Sequence, residues 1–335
     1  MNRAAVMTDL STMVIQERPD PEPGPQQAVV QVEAVGVCGS DTAYYKVGRI
    51  GDYIVDGPII LGHEVSGQVV QIGGDVGNVA VGDRVAIEPG TPCRNCRECM
   101  AGRYHLCPDL IFLATPPYDG ALVQRMAIDS RNLYRIPDEM SYEEGALLEP
   151  LSVGIWGCKR ANLQAGDDVL VTGAGPVGLL AAAAARAFGA GSVTITDLSE
   201  FRLGVARDMG FVAERADAAG EDTFDVLLEC SGAPGVLGSA LRRLRPAGRA
   251  SMIGMSKESA IALPLAQLNV NELTVSLVNR YNHTWPLAIE LVSSGRVDLK
   301  RLVTHHFPLA DSAEALTLGS RVPDSIKAVI HPQRH

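Results

Sequence analysis

The chain has 335 residues, room for about two domains of roughly 150 residues and a sizeable core. Apolar and aromatic residues make up 46% and charged residues 20%, and no apolar run reaches the roughly 20 residues of a membrane-spanning helix. The net charge of −10 is the wrong sign for neutralising phosphates, which argues against nucleic acid and anionic membrane surfaces as partners.

Residues 1–20 are mixed and polar and lack the apolar stretch of an export signal, so a cytoplasmic location is expected. In that reducing compartment the seven cysteines are not disulfides. Up to about residue 145 the pattern is β-rich. Residues 29–35 and 65–72 alternate β-branched apolar with polar positions between Gly and Pro punctuation, as in a compact barrel with long loops.

Three short strings in or near this part carry metal-ligand chemistry: Cys38-Gly39-Ser40-Asp41, Gly62-His63-Glu64 and Glu149-Pro150. A lone Cys or a lone His-Glu pair is more often structural than a ligand. Together, one thiolate, one imidazole and one carboxylate suit a zinc ion that keeps a position open. Asp41 could then fix the tautomer of His63, and Ser40 could pass a proton. Cys93, Cys96, Cys99 and Cys107 crowd into fifteen residues and supply a closed four-thiolate set, the pattern of a structural zinc. With four sulfurs present His105 is superfluous, and it is predicted at the surface.

The texture changes near Ser141. From residue 168 short apolar runs, 169–172, 193–196, 226–229, 250–253 and 273–278, alternate with helical stretches, which indicates a parallel sheet of βαβ units. The first run leads into Gly173-Ala174-Gly175-Pro176-Val177-Gly178 and then an Ala/Leu-rich helix that Gly189 should end. This is G-x-G-x-x-G between strand and helix, where free N–H groups and the helix dipole meet a pyrophosphate. Asp197 closes the next strand, where a carboxylate accepts both ribose hydroxyls and repels a 2′-phosphate, favouring NAD over NADP. Arg202 is the counter-signal, readable as a phosphate partner, an adenine stacker or an exposed helix residue. Cys158 and Cys230 read as core residues, and His305 and His306 as structural residues of a strand. Later helices are predicted from Thr284, with Pro286 in the first turn, and from Asp311, with Glu314 completing a capping box.

These motifs resemble the zinc-dependent medium-chain dehydrogenases. The strings Ala114-Thr115-Pro116-Pro117, Glu149-Pro150-Leu151-Ser152-Val153 and Arg280-Tyr281 followed by Thr284-Trp285-Pro286 resemble the polyol (sorbitol and xylitol) dehydrogenases among them. The resemblance covers nearly the whole chain. It implies an α/β architecture: a GroES-like β-rich catalytic domain at 1–148, with a zinc lobe at about 90–108, then a Rossmann doubly wound parallel sheet at 149–278. Residues 279–335 would return to the catalytic domain.

It further implies a catalytic zinc on Cys38, His63 and Glu64, with a water held by Glu149, and substrate contacts at Ser40, Tyr44, Phe112, Glu149, Arg280 and Tyr281. Cofactor contacts fall at Gly173, Gly175, Pro176, Val177, Gly178, Asp197, Arg202, Met255 and Asn279. Two zinc ions per chain, NAD and a homotetramer follow, as does reversible NAD-linked oxidation of a polyol secondary alcohol to a ketose, of the L-iditol 2-dehydrogenase or D-xylulose reductase type. The choice of polyol would rest on Ile50, Tyr53, Phe112 and Met255. A threonine or butanediol dehydrogenase is the alternative within the class, and a non-catalytic zinc and dinucleotide binder the alternative outside it; for Arg280 the alternative is an interdomain ion pair.

Overall fold

In the computed structural model, which describes every residue except 219, 221, 257, 259 and 335, the chain divides into two units. One comprises Met1–Glu149, Trp285–Ser293 and the residues from Asp298 on; the other comprises Pro150–Thr284 with Ser294–Val297. The first crossing falls inside a single helix, Tyr142–Arg160, at the Glu149/Pro150 bond. The chain returns at Trp285 rather than 279, because the turn after strand Thr274–Leu277 stays with the second unit.

In the first unit the alternating segment 29–35 lies within strand Gln27–Gly36, which pairs antiparallel with Glu64–Ile72, Arg125–Asp129 and Lys327–His331. Val30, Val32, Val35, Leu61, Ile87 and Ile330 share its core. Burying each such side chain fully contributes about 1.5–3 kcal/mol before the entropy of ordering is set against it. Strand Lys327–His331 comes from the far end of the sequence and lies beside Gln27–Gly36, with Val303–Pro308 parallel to it on the outside. Lys327 thereby reaches the site described below.

Helix Gly39–Val47 starts after Cys38, an extended N-cap residue, and stops at Gly48, whose φ of 75° only glycine adopts without strain. The capping box expected at Asp311 and Glu314 does not form. Asp311 ends a 3₁₀ turn at φ −99°, ψ 20°, outside the extended region an N-cap needs, and makes no side-chain cap. Glu314 pairs with Arg321 at 3.3 Å. A reciprocal box forms instead at Ser141 and Glu144, at the start of helix Tyr142–Arg160: the Ser141 N–H donates to Glu144 Oε2 and the Glu144 N–H to Ser141 Oγ.

In the second unit six described strands pair in parallel, in the order Val212–Arg215, Ser192–Asp197, Asp168–Thr172, Phe224–Glu229, Leu244–Met252 and Thr274–Leu277. The edge strand Val212–Arg215 escaped the sequence reading because it is short, polar and nowhere fully buried. Strand order reverses at Asp168–Thr172, and the glycine turn follows it, where ligands bind in doubly wound sheets. Ala181–Ala185 of helix Pro176–Ala187 are buried. A Cβ on Gly154 would come within 2.9 Å of Ala181 backbone atoms, so small residues on both helices permit their close approach. No described helix is long and apolar enough to cross a membrane.

Candidate active site and metal centres

Cys38, His63 and Glu64 each offer a ligand atom, and the three atoms lie within 4.8 Å of one another. Asp41, 1% exposed, organises them. Its Oδ2 accepts the Cys38 N–H at 3.2 Å, its Oδ1 accepts the Gly62 N–H at 3.0 Å, and Oδ1 also faces His63 Nδ1 at 3.3 Å. A carboxylate on Nδ1 fixes the ring and leaves Nε2 for a metal. Burial works against both charges, yet Asp41 and the Cys38 sulfur hold the His63 pKa well above its ordinary value, and His63 with the two backbone amides holds Asp41 below its own.

Gly36 lies opposite Glu64 in the strand pair, and a Cβ there would collide with Glu64 Oε2. That oxygen is buried and lies 2.5 Å from Lys327 Nζ, whose hydrogen bond goes to Oε1 at 2.6 Å. Lys327 is 3% exposed. Burial would lower its pKa, but Glu64, Cys38 and Glu149 together raise it. Sequence reasoning missed Lys327, for which no local motif exists. A thiol, an imidazole and a carboxylate converging within 4.8 Å, with Asp41 on the far nitrogen of the imidazole, fit a divalent ion.

Around this set Ser40 is half-buried and Tyr44, one helical turn on, is buried. The Phe112 ring lies 5.7 Å from that of His63, and Glu149 is 5% exposed. Ile50 and Tyr53 pair in a short hairpin whose Tyr53 is exposed.

Cys93, Cys96, Cys99 and Cys107 also converge within 4.8 Å. Cys93 Sγ and Cys99 Sγ are 4.0 Å apart, against about 3.8 Å for two thiolates at about 2.3 Å from one tetrahedral zinc. The Asn95 N–H brings Cys93 down to about 7, while burial pushes Cys99 up to about 12; four such sulfurs become thiolates together only around a cation. His105 is not on the surface as expected: it is 8% exposed, its ring edge-on to Tyr104. Tyr104 and Tyr134 donate to the buried Glu88 at 2.7 and 3.0 Å, and Tyr134 stacks on Trp285 at 5.5 Å. Tyr104 thus ties the lobe to Glu88 of the β-rich unit, a role its spacing does not reveal.

The second unit holds the dinucleotide motif. Gly173, at φ 89°, donates its N–H to Thr196 O at 2.7 Å, and a Cβ on Gly178 would collide with Gly173 O. Gly175, the N-cap of helix Pro176–Ala187, has open space where its Cβ would be, the room a pyrophosphate needs. Asp197 accepts the Ala174 N–H at 2.7 Å and the Ser199 N–H at 2.8 Å, which holds its carboxylate beside the turn. Val177 is half-buried beside it, and the Nε of Arg202 is buried without a hydrogen bond. Met255 and Asn279 are exposed, while Tyr281 is buried. Arg280 has φ 55°, a left-handed conformation for a residue with a side chain, of the kind that clusters at functional sites. Cys158 is fully buried and Cys230 partly so.

Residues 24–138 match the alcohol dehydrogenase GroES-like domain, and residues 176–294 match the zinc-binding dehydrogenase domain. The chain is 41% identical to the sorbitol dehydrogenase of Bacillus subtilis, over 99% of this chain and 98% of that one. It is 39% identical to human sorbitol dehydrogenase, over 94% of each. A solved Escherichia coli oxidoreductase of unknown specificity superposes with a TM-score of 0.93 at 33% identity, covering 98% of this chain and 99% of that one. With full-length similarity of this kind and both family domains in sequence order, the chain belongs to the zinc-containing medium-chain dehydrogenases, in the subgroup of the sorbitol dehydrogenases.

Proposed function

We propose that the protein oxidises a secondary alcohol of a polyol, at C2 of a pentitol or hexitol, converting the alcohol and NAD⁺ to a ketose, NADH and a proton. The observation that carries the reading is the set of a half-buried thiol and a buried imidazole and carboxylate around Asp41, in a chain similar to sorbitol dehydrogenases. Cys38, His63 and Glu64 would hold one zinc, and the four clustered cysteines a second, structural one. When bound at the first set, zinc supplies Lewis acidity that lowers the pKa of the substrate hydroxyl. Glu149 takes part in proton handling, and Ser40 relays the proton toward solvent. Asp41 keeps Nε2 of His63 toward the metal. Tyr44, Phe112, Arg280 and Tyr281 contact the substrate, and the last two hydrogen-bond its remaining hydroxyls.

Turnover of xylitol, sorbitol, galactitol, ribitol and arabinitols beside 2-propanol, butanediol and threonine, followed by NADH formation, tests this. The polyols should win by a factor of up to about 10⁴, because a site built for several hydroxyls leaves its polar groups unpaired with a simple alcohol. Arg280→Ala should remove most of the polyol rate and leave the poor 2-propanol rate nearly unchanged. If threonine or butanediol outperforms every polyol, the reading fails. An Arg280 variant slowed equally on all substrates would assign that residue to the cofactor or to an ion pair.

NAD is the proposed cofactor, on the strength of Asp197. Asp197→Ala should weaken NAD and shift the ratio of kcat/KM for NAD over NADP by about tenfold or more, about 1.4 kcal/mol. Equal use of both cofactors by the unaltered enzyme would give Arg202 the deciding role. A homotetramer is proposed as well. Strand Thr274–Leu277 ends its sheet, and Leu265, Val270 and Leu277 beside it are exposed, an apolar edge of the kind that assembly covers. A cytoplasmic location accords with cysteines that are all free thiols.

A further inference from the structure

Glu143, His306 and His331 meet in the β-rich unit, outside both cysteine-containing sets. Glu143 is the second residue of helix Tyr142–Arg160, and the histidines lie on the parallel strands Val303–Pro308 and Lys327–His331. His306 pairs with Val329 and Pro308 with His331, so the two imidazoles are diagonal neighbours on one face of the sheet. Their rings stack with centroids 5.7 Å apart.

Glu143 Oε1 lies 2.9 Å from His306 Nδ1 and 2.9 Å from His331 Nε2. The second contact is not a hydrogen bond. His331, its side chain 9% exposed, has its Nε2 buried with no hydrogen-bond partner. The other ring nitrogen, Nδ1, lies 3.1 Å from the Glu33 carbonyl oxygen. A carbonyl only accepts, so Nδ1 carries a proton, and in the neutral form of the ring the lone pair is then on Nε2. A lone pair held beside a carboxylate oxygen, off the line of a hydrogen bond, is repulsive unless a cation lies between them. A backbone carbonyl on the far nitrogen is also the partner that metal-bound histidines ordinarily have.

We propose that Glu143, His306 and His331 form a third metal site, taking a divalent first-row transition ion such as Zn²⁺. Two imidazole nitrogens and one carboxylate oxygen suit such an ion and leave positions for water. His306 is exposed, which gives the ion a path in. Bound there, it joins the two C-terminal strands to the start of the helix that carries Glu149, as a clamp rather than a participant in the reaction. The inference does not depend on which alcohol the enzyme oxidises.

The test dialyses native zinc-containing protein against a graded series of free Zn²⁺ and counts zinc per chain by mass spectrometry, with thermal melting alongside. The wild type should take up one equivalent beyond those it retains on purification, and its midpoint should rise with free Zn²⁺. His306→Ala, at an exposed position, and Glu143→Gln, nearly isosteric, should both lose that equivalent. Removing one of three ligands should weaken it by at least about tenfold, since even losing an outer partner of a ligand costs about 10–100-fold. Both variants should keep the retained zinc and the wild-type midpoint without added metal, which separates a lost site from a misfolded protein. Failure of the wild type to bind the extra equivalent, or equal binding by both variants, overturns the proposal.

Discussion

In protein stripped of its active-site metal, Lys327→Met will lower the thermal midpoint by at least about 6 °C, taking about 3 kcal/mol for an orphaned buried charge and about 2 °C per kcal/mol for a unit of this size. Lys327 and Glu64 are 3% and 1% exposed, and Nζ lies 2.6 Å from Oε1. Methionine keeps much of the length of lysine but supplies no donor, so the Glu64 carboxylate would be stranded in the barrel interior. Such a loss exceeds the worth of the pair itself, because taking two charges out of water already costs most of what their attraction returns. The double variant Glu64→Gln/Lys327→Met should therefore recover most of the midpoint, although it forfeits activity with the ligand. Calorimetry of the wild type, both single variants and the double variant measures the coupling. A Lys327→Met protein that melts with the wild type would show that Glu64 finds its compensation elsewhere.

Why this pair was invisible in the sequence follows from its separation of 263 residues. The four-cysteine lobe and the glycine turn were legible because each is local: the spacing of Cys93, Cys96, Cys99 and Cys107, or of Gly173, Gly175 and Gly178, already limits what the backbone can do. Cys38, His63 and Glu64 required the joint pattern, and the register that sets Glu64 against Gly36 explains why two separated strings form one site. Lys327 and His331 arrive on a strand from the other end of the chain and carry no motif. His105 fails differently. Zinc-ligand counting declared it superfluous, but a residue not needed for the metal can still be needed for packing, and its ring fills the space beside Tyr104. At Asp311 the residue types of a capping box were present without the backbone conformation. The 3₁₀ turn before it sets φ and ψ, and residue type cannot override that.

Gly175→Ala and Gly178→Ala will come apart in a way that locates the dinucleotide. At Gly178 the new methyl meets the Gly173 carbonyl, and Gly173 cannot retreat while its own N–H is held by Thr196 O at 2.7 Å. The helix start must move instead, carrying its free N–H groups with it, so both the midpoint and NADH affinity should fall. At Gly175 the backbone is already extended, φ −71° and ψ 178°, and no atom beyond its chain neighbours lies within 4 Å of the added carbon. Alanine there should leave the midpoint unchanged or raise it slightly, since it removes about 0.4–1 kcal/mol of unfolded-chain freedom. Yet the same methyl occupies the room a pyrophosphate needs against the turn, so NADH should bind about a hundredfold more weakly, about 2.7 kcal/mol. Fluorescence titration of NADH beside thermal melting reads both effects. Wild-type affinity in a stable Gly175→Ala protein would move the pyrophosphate off this turn, and Gly178→Ala behaving as the wild type would mean that the strand-to-helix junction yields more easily than its contacts imply.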